Sequence, residues 1–391
     1  MEFEIWWLLA LPVFFGLGWV AARIDLRALL KESRALPRSY FDGLNFLLDE
    51  KPDQAVEAFI EAARVDPETV EIHFALGNLF RRRGETDRAI RVHQSLVERD
   101  GLSGEQRLFA LSELGQDYLK AGLLDRAEEI FVKLRESARD EEAKTHLLEI
   151  YQQEKDWPKA IAIAEAMPEH AGHVWQVEVA QFHCEIASGE MLHERHDAAR
   201  AHLDEALRAN RKCVRATILL GDLAAKQGQV EAALECWKRV ETQNPAYLAL
   251  VARKILDGAA TLDRGAQGLS LLHGYLEQHP SLDMLDVVFQ AELDTAGPEA
   301  AYALVRDELR RNQTLLGLDK LLQAQLLVTP EARRDDLELV KNLIHAHTRR
   351  VARYRCDACG FKARQFYWRC PGCGGWETYP PRRTEEFDLS P

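Results

Sequence analysis

The chain has 391 residues, 47% hydrophobic and 29% charged, with a net charge of −13, a length that allows two or three domains or one long repeat array. Residues 1–38 carry five Lys/Arg against four Asp/Glu and residues 351–391 carry seven against five, so the middle holds the whole negative balance. Such an acidic body argues against general nucleic-acid binding, which needs a basic surface to displace counterions, and suits a body that binds basic protein segments or is held off anionic membrane surface.

The chain opens on an uncharged run, Ile5 to Ala22. At the helical rise this run spans ~27 Å, just enough for a hydrocarbon core. Trp6, Trp7 and Trp19 stand near its ends, where indoles prefer the headgroup level, and Pro12 is a residue that membrane helices tolerate. A cleaved signal peptide is the rival reading, with Val20-Ala21-Ala22 as its cleavage site. Its leading region should be basic, however, and the first charges here are Glu2 and Glu4. Arg23, Arg27, Lys31, Arg34 and Arg38 follow at once, and the positive-inside rule keeps that flank in the cytoplasm. The expectation is a single-pass anchor at 1–22, a basic juxtamembrane segment at 23–38, and nearly all the rest facing the cytoplasm.

Next comes a repeat. Gly43, Phe46, Ala55 and Phe59 are echoed 34 residues later by Gly77, Phe80, Ala89 and His93. Gly115, Tyr118, Ala127 and Phe131 form a third copy, and Tyr151 with Ala160 a fourth. Gly221, Ala233, Trp237 and Asn244-Pro245 form a later one. This is the tetratricopeptide period. Gly and Ala belong where two antiparallel helices cross closely, aromatics fill the gaps, and Asx-Pro ends the second helix of a pair. Between 169 and 213 and between 246 and 312 the pattern loosens. Ala199, Leu203 and Ala206 suggest one pair there, and Leu272, Pro280 and Ala301 suggest two more. The expectation is an all-α solenoid over 39–328 with about eight or nine helix pairs. Cys184, Cys213 and Cys236 lack metal spacing and read as small buried thiols.

At Thr329-Pro330-Glu331 a connecting helix over 329–352 is expected, with Thr as N-cap and Pro at the first helical position, and with Leu337, Val340 and Ile344 as its apolar stripe. No P-loop, G-x-S-x-G or H-E-x-x-H occurs, so no catalytic residue is assigned and no enzyme is expected. His345 and His347 are two apart and face different sides of a helix, which makes exposed structural histidines the better reading.

Four cysteines close the chain: Cys356, Cys359, Cys370 and Cys373, two C-x2-C pairs with ten residues between them. Two such knuckles complete a tetrahedral four-sulfur site for one ion, Fe or Zn, and thiols kept reduced in the cytoplasm can hold it. Gly360 and Gly374 follow each pair, where glycine lets the backbone turn and aim N–H groups at sulfur. Pro371 stiffens the second knuckle. The metal then replaces a core that some 30 residues could not otherwise supply. Phe361, Phe366, Tyr367, Trp368 and Trp376 either pack around such a site or stay exposed for a partner, and Arg353, Arg355, Arg364 and Arg369 make the module basic. The metal module is placed at 353–380 and a tail at 381–391.

The stretches GLNFLL, EIHFALGNLFRRRGETDRAIRVHQSL and LGQDYLKAGLLDRAEEIF, with the leading apolar run and the closing rubredoxin-like CDACG…CPGCG, resemble the lipopolysaccharide assembly protein B family over essentially the whole chain. The resemblance implies that Cys356, Cys359, Cys370 and Cys373 ligate a metal, iron in the family. It implies a regulator on the inner membrane of Gram-negative bacteria. Its partners would be a membrane AAA protease, the lipid A-committing deacetylase that the protease degrades, and an inner-membrane sensor protein. The spacing between the cysteine pairs is shorter than in free-standing rubredoxins, so electron transfer is not implied.

The expected function is therefore a membrane-tethered cytoplasmic adaptor, held to the bilayer through residues 5–22, that restrains lipopolysaccharide synthesis. Homodimer formation stays open. The alternatives are a redox or metal-handling protein using the four-Cys site, a general assembly scaffold, and an RNA-binding ribbon, against which the acidic solenoid counts.

Overall fold

The computed structural model describes Phe15, Trp19 and residues 37–66, 69–168, 175–348 and 353–383. Apart from Phe15 and Trp19, the expected anchor lies outside these residues, as do nearly all of the basic segment and the tail beyond 383. Among the described residues no helix is long and apolar enough to cross a membrane.

Nine helix pairs stand among the described residues. In chain order they are Arg38–Leu48 with Pro52–Val65, Val70–Arg82 with Thr86–Val97, Gly104–Lys120 with Leu124–Leu134, Asp140–Glu154 with Trp157–Glu165, and Gln176–Leu192 with His196–Ala209. Then come Val214–Lys226 with Val230–Lys238, Leu248–Thr261 with Gly265–Gln278, Leu282–Thr295 with Pro298–Arg311, and Leu315–Val328 with Arg334–Thr348. Where they are described, the stretches in which the sequence pattern loosens are as regularly helical as the rest.

The recurring glycines have a direct steric cause. A Cβ added to Gly43, Gly77, Gly115 or Gly221 would come within 3.0 Å of the ring of Phe59, His93, Phe131 or Trp237 respectively. Each ring sits 16 residues after its glycine, on the second helix of the same pair. The matching alanines, Ala55, Ala89, Ala127 and Ala233, are fully buried. Ring and small residue thus interlock in four of the five copies the sequence pattern picks out; the copy with Tyr151 and Ala160 has Leu148 and Ala164 at the corresponding positions.

The turn inside each of the first eight pairs is equally regular. Glu50, Gly84, Gly122, Lys155, Glu194, Gly228, Asp263 and Gly297 all hold left-handed backbone, with φ between +54° and +89°. Only half of them are glycine, which is why the turns at Lys155, Glu194 and Asp263 are invisible to a search for Gly. At the end of one second helix Asn244 bonds its side chain to the Ala246 N–H. Pro245–Tyr247 then forms a 3-10 turn into the next pair, so Asn-Pro stops one helix and starts another.

The chain divides into two compact units, residues 1–150 and 151–391. In the first, Ala55, Val56, Phe59, Leu76, Leu79, Phe80 and Ala89 form an apolar cluster. Beside it a polar group is buried: Arg81 reaches Glu113 at 2.5 Å and Asp117 at 2.8 Å, and Asp117 takes His93 at 2.5 Å. Removing one member would strand buried charge, so the group fixes how its helices meet. In the second unit one apolar cluster runs from Val214 to Ala324.

The chain enters its last helix differently from expectation. Thr329 closes the preceding helix, its hydroxyl donating to the Gln325 carbonyl at 2.7 Å. Pro330 is extended, at φ −59° and ψ 148°, and opens a 3-10 turn over Glu331–Arg333. The α-helix starts at Arg334. Its inward side carries Leu337, Lys341, Ile344 and Thr348, while Leu339, Val340 and Leu343 face outward. Val340 therefore falls outside the stripe expected of it, because the buried set follows steps of four, three and four.

Candidate metal centre and its docking face

Two short antiparallel strands, β1 (Tyr354–Arg355) and β2 (Lys362–Ala363), frame the first Cys pair. Both knuckles close by the same backbone bonds. The Cys356 N–H donates to the Phe361 carbonyl at 2.9 Å and the Gly360 N–H to the Cys356 carbonyl at 2.9 Å. In the second knuckle the Cys370 N–H donates to the Gly375 carbonyl at 2.9 Å and the Gly374 N–H to the Cys370 carbonyl at 2.8 Å. Gly360 and Gly374 are left-handed, at φ +75° and +72°, as that closure demands. Their N–H groups go to carbonyls rather than to sulfur. The amides that face sulfur are others: Gly372 lies 3.4 Å from Cys370 Sγ, and those of Ala358 and Cys359 are directed at Cys356.

The result is that all four sulfurs lie within 4.8 Å of one another. The pairs Cys356–Cys373 and Cys359–Cys370 are 3.8 Å and 3.7 Å apart. A tetrahedron with metal–sulfur bonds of ~2.3 Å has edges of about 3.8 Å, so the spacing fits one ion. Charge points the same way. Burial opposes ionisation of Cys356, yet the Thr378 hydroxyl and the amides of Cys359 and Ala358 outweigh it and hold the thiol down at about 6. Burial pushes Cys370 up to about 12. Four thiolates this close do not ionise together without a cation among them. Cys356 and Cys370 are buried, whereas Cys359 and Cys373 are exposed at the tip.

Tyr379 supplies the apolar floor of the module. It is fully buried, its hydroxyl accepts from the Ala363 N–H at 2.9 Å and donates to the Tyr354 carbonyl at 3.1 Å.

Three of the module's other aromatics, Phe366, Trp368 and Trp376, are turned onto the second unit's helices and the Pro245–Tyr247 turn. Trp376, 7% exposed, donates its indole N–H to Gln152 at 3.3 Å and meets the rings of Trp157 and Phe182 edge-on. Trp368 stacks on Tyr247 with centroids 5.3 Å apart and an interplanar angle of 3°. The Arg215 guanidinium lies 5.7 Å from the Trp368 ring and 5.9 Å from the Trp376 ring, a cation against two π faces, and is paired with Glu185 at 2.8 Å. Asp283 receives the Tyr354 hydroxyl at 2.7 Å and the Arg383 guanidinium through both carboxylate oxygens, the shortest contact 2.7 Å. Bidentate pairs of this kind fix orientation as well as contributing energy.

Glu377 completes the seam by accepting from the Gln181 amide at 2.7 Å. Burial raises its carboxyl above the usual carboxylate range, the Gln181 bond offsetting part of that and the nearby Glu178 charge adding to it. Gln152, Gln181, Arg215 and Asp283 lie on the first helices of their pairs, so one row of helices carries the seam. In the second unit that row is occupied by the chain's own metal module.

Of the aromatics proposed for partner binding, Phe366, Trp368 and Trp376 are therefore spent on this seam. Phe361, Lys362 and Arg364 remain exposed. Cys184 and Cys213 are fully buried with sulfurs 3.9 Å apart, Gln181 donates to the latter at 3.7 Å, and Cys236 is half-buried. His345 pairs with Asp319 at 2.9 Å and His347 contacts the Leu343 carbonyl at 3.0 Å, so the two do not converge. The docking residues Gln152, Gln181, Arg215 and Asp283 were not singled out from sequence. The one available signal was the surplus of aromatics in 361–376 over what a module of this size can bury.

Comparison with known proteins agrees with both halves. The rubredoxin metal binding domain family matches residues 354–381, and the tetratricopeptide repeat family matches 43–102 and 186–247. The chain is 35% identical over 381 residues to lipopolysaccharide assembly protein B of Escherichia coli (strain K12), covering 96% of this chain and 97% of that protein. It is 31% identical over 394 residues to the protein of the same name from Haemophilus influenzae, covering 97% and 98%.

Proposed function

The chain belongs to the lipopolysaccharide assembly protein B family, and on that premise we propose that it is a membrane-tethered adaptor that restrains lipopolysaccharide synthesis. In this reading residues 5–22 anchor it in the inner membrane with its bulk in the cytoplasm. It brings the lipid A-committing deacetylase to a membrane AAA protease for degradation, and an inner-membrane sensor protein opposes it. Cys356, Cys359, Cys370 and Cys373 hold one ion, iron or zinc, which cross-links the two knuckles and supplies the fold of the module.

The observation that carries the reading is the seam. Trp376, Trp368, Glu377 and the Tyr354–Asp283–Arg383 cluster join the metal module to the first helices of four pairs and to the Pro245–Tyr247 turn. A structural ion whose module is fixed to a repeat array suits a shaped recognition body. The array presents side chains for protein contact, and the knuckle tips stay open at Phe361, Lys362 and Arg364.

The test is the half-life of the deacetylase in cells whose only copy of this protein is the full chain, a chain lacking residues 1–22, or a Cys370→Ser/Cys373→Ser chain. Both alterations are expected to lengthen it. An unchanged half-life in both, with the altered proteins present at normal levels, rejects the adaptor reading.

A further inference from the structure

The last helix of the array, Arg334–Thr348, packs on Leu315–Val328 by one side only, and its other side is not polar. Leu339, Val340 and Leu343 are 62%, 45% and 58% exposed, and Ala346 is exposed beside them. The terminal repeat of an array needs a polar outer face to stay soluble, so this face calls for a cover. Among the described residues only the first helix, Arg38–Leu48, exposes as many large apolar side chains. We propose that the face pairs with the same face of a second copy of this chain, the two helices antiparallel about a two-fold axis near Leu343.

The spacing is self-complementary. Leu339, Leu343 and Ala346 follow steps of four and three, the interval at which residues form one seam along paired helices. An axis through Leu343 sets that residue against its own copy and brings Val340 opposite Ala346 and Leu339 opposite His347. The apolar patch thus maps onto itself, as a two-fold contact between identical surfaces requires.

Charge selects the partner and its direction. The exposed acids Asp335, Asp336 and Glu338 all stand before the apolar patch. No acid occurs from 339 to 356, while His345, His347, Arg349 and Arg350 come after it. His345 is already taken by Asp319, which leaves the two arginines as the main positive charge. Acid at the start and base at the end suit the dipole of a single helix, but the dipole does not account for the apolar middle. An antiparallel copy brings each acidic end to a basic end, with Asp336 opposite sequence position 350. A parallel copy would set acid on acid. A partner helix of uniform charge would match one end and be repelled by the other. Such exposed pairs add little affinity and chiefly fix orientation.

Fifteen residues of helix are ~22 Å long. One helix face of that length covers less than the ~800 Å² per partner of a standard interface, so the pairing is reversible and depends on concentration. It is independent of the adaptor reading, since it concerns only the chain and its own copy.

The experiment puts a photo-crosslinking residue at position 343 of the full-length chain, co-expressed in membranes with a second, differently tagged copy. The expected product is an adduct that carries both tags. Asp336→Lys/Glu338→Lys should cut its yield by about fivefold or more, as should Arg349→Glu/Arg350→Glu, and the chain carrying all four changes should recover it. Four results overturn the proposal: no two-tag adduct, an adduct with another protein alone, a yield that neither reversal lowers, or no recovery in the fourfold variant. Thermal midpoints identify any reversal that has lost its fold. Leu339→Gln, at an exposed position, then decides in its place, and an undiminished two-tag yield from it overturns the pairing.

Discussion

Replacing Trp376 by Ala tests the seam where it is most concentrated. The side chain is 7% exposed, so its removal withdraws roughly 200 Å² of buried surface, or ~5 kcal/mol at ~25 cal/mol/Å². That figure is an upper bound, because the denatured chain already buries part of its surface, and measured Trp→Ala losses in cores run at about 3–5 kcal/mol. The indole N–H bond to Gln152 adds about 1 kcal/mol, since the amide oxygen loses its donor. The floor of ~3 kcal/mol corresponds to a hundredfold or greater loss of hydrogen-exchange protection, at tenfold per ~1.4 kcal/mol. That loss should fall in 353–383 and in the facing parts of 140–154 and 176–192. The metal should stay, because Trp376 contributes no sulfur and the knuckle bonds run between other residues. Protection changed by less than about threefold, or loss of the metal with the indole, would refute the reasoning.

Three further outcomes follow from single residues. Because Glu377 has a raised folded pKa, its share of stability is complete below the unfolded value and lost as pH rises through the folded one. Glu377→Gln, which keeps an acceptor for Gln181, should raise the Tm at about pH 7 with the gain vanishing near pH 4, and a lowered Tm at neutral pH contradicts this. Lys155 and Glu194 pay for left-handed backbone at φ +59° each. Lys155→Gly and Glu194→Gly should each add about 0.5–1 kcal/mol in urea unfolding, whereas Gly84→Ala should cost about 1 kcal/mol; the reverse order disproves the turn assignment. Gly221→Ala should cost about 1–3 kcal/mol by overpacking, since its Cβ meets the Trp237 indole, and a neutral urea midpoint would show that the pair crosses less closely.

Much of the array was legible because the steric demand sits in the residue types. Gly43 against Phe59 and Gly221 against Trp237 leave a mark that recurs at a fixed spacing. The pairs at 176–209 and 248–278 were blurred for a physical reason. Their turns use Glu194 and Asp263 in left-handed backbone, and their helices bury mostly aliphatic residues without a glycine–ring lock inside the pair. The four cysteines were legible as a group, since two knuckles carry their own local geometry. The seam was not, because Trp376 meets Gln152 and Glu377 meets Gln181 across some two hundred residues of chain. No local pattern encodes such a meeting, and surplus aromatics in a short module mark only that something must cover them. The start of the last helix was misread because Thr-Pro serves equally well to end one helix as to begin another.

The central claim is that a metal module fixed to the array completes a surface for protein partners. It is tested most directly by photo-crosslinking in intact membranes from the exposed positions of Phe361 and Arg364 in the full-length chain. The account predicts adducts with the membrane protease or with its deacetylase substrate, and their loss when Cys370→Ser and Cys373→Ser remove two of the four sulfurs. No partner adduct from either position, or the same adducts from the cysteine-substituted chain, would contradict it.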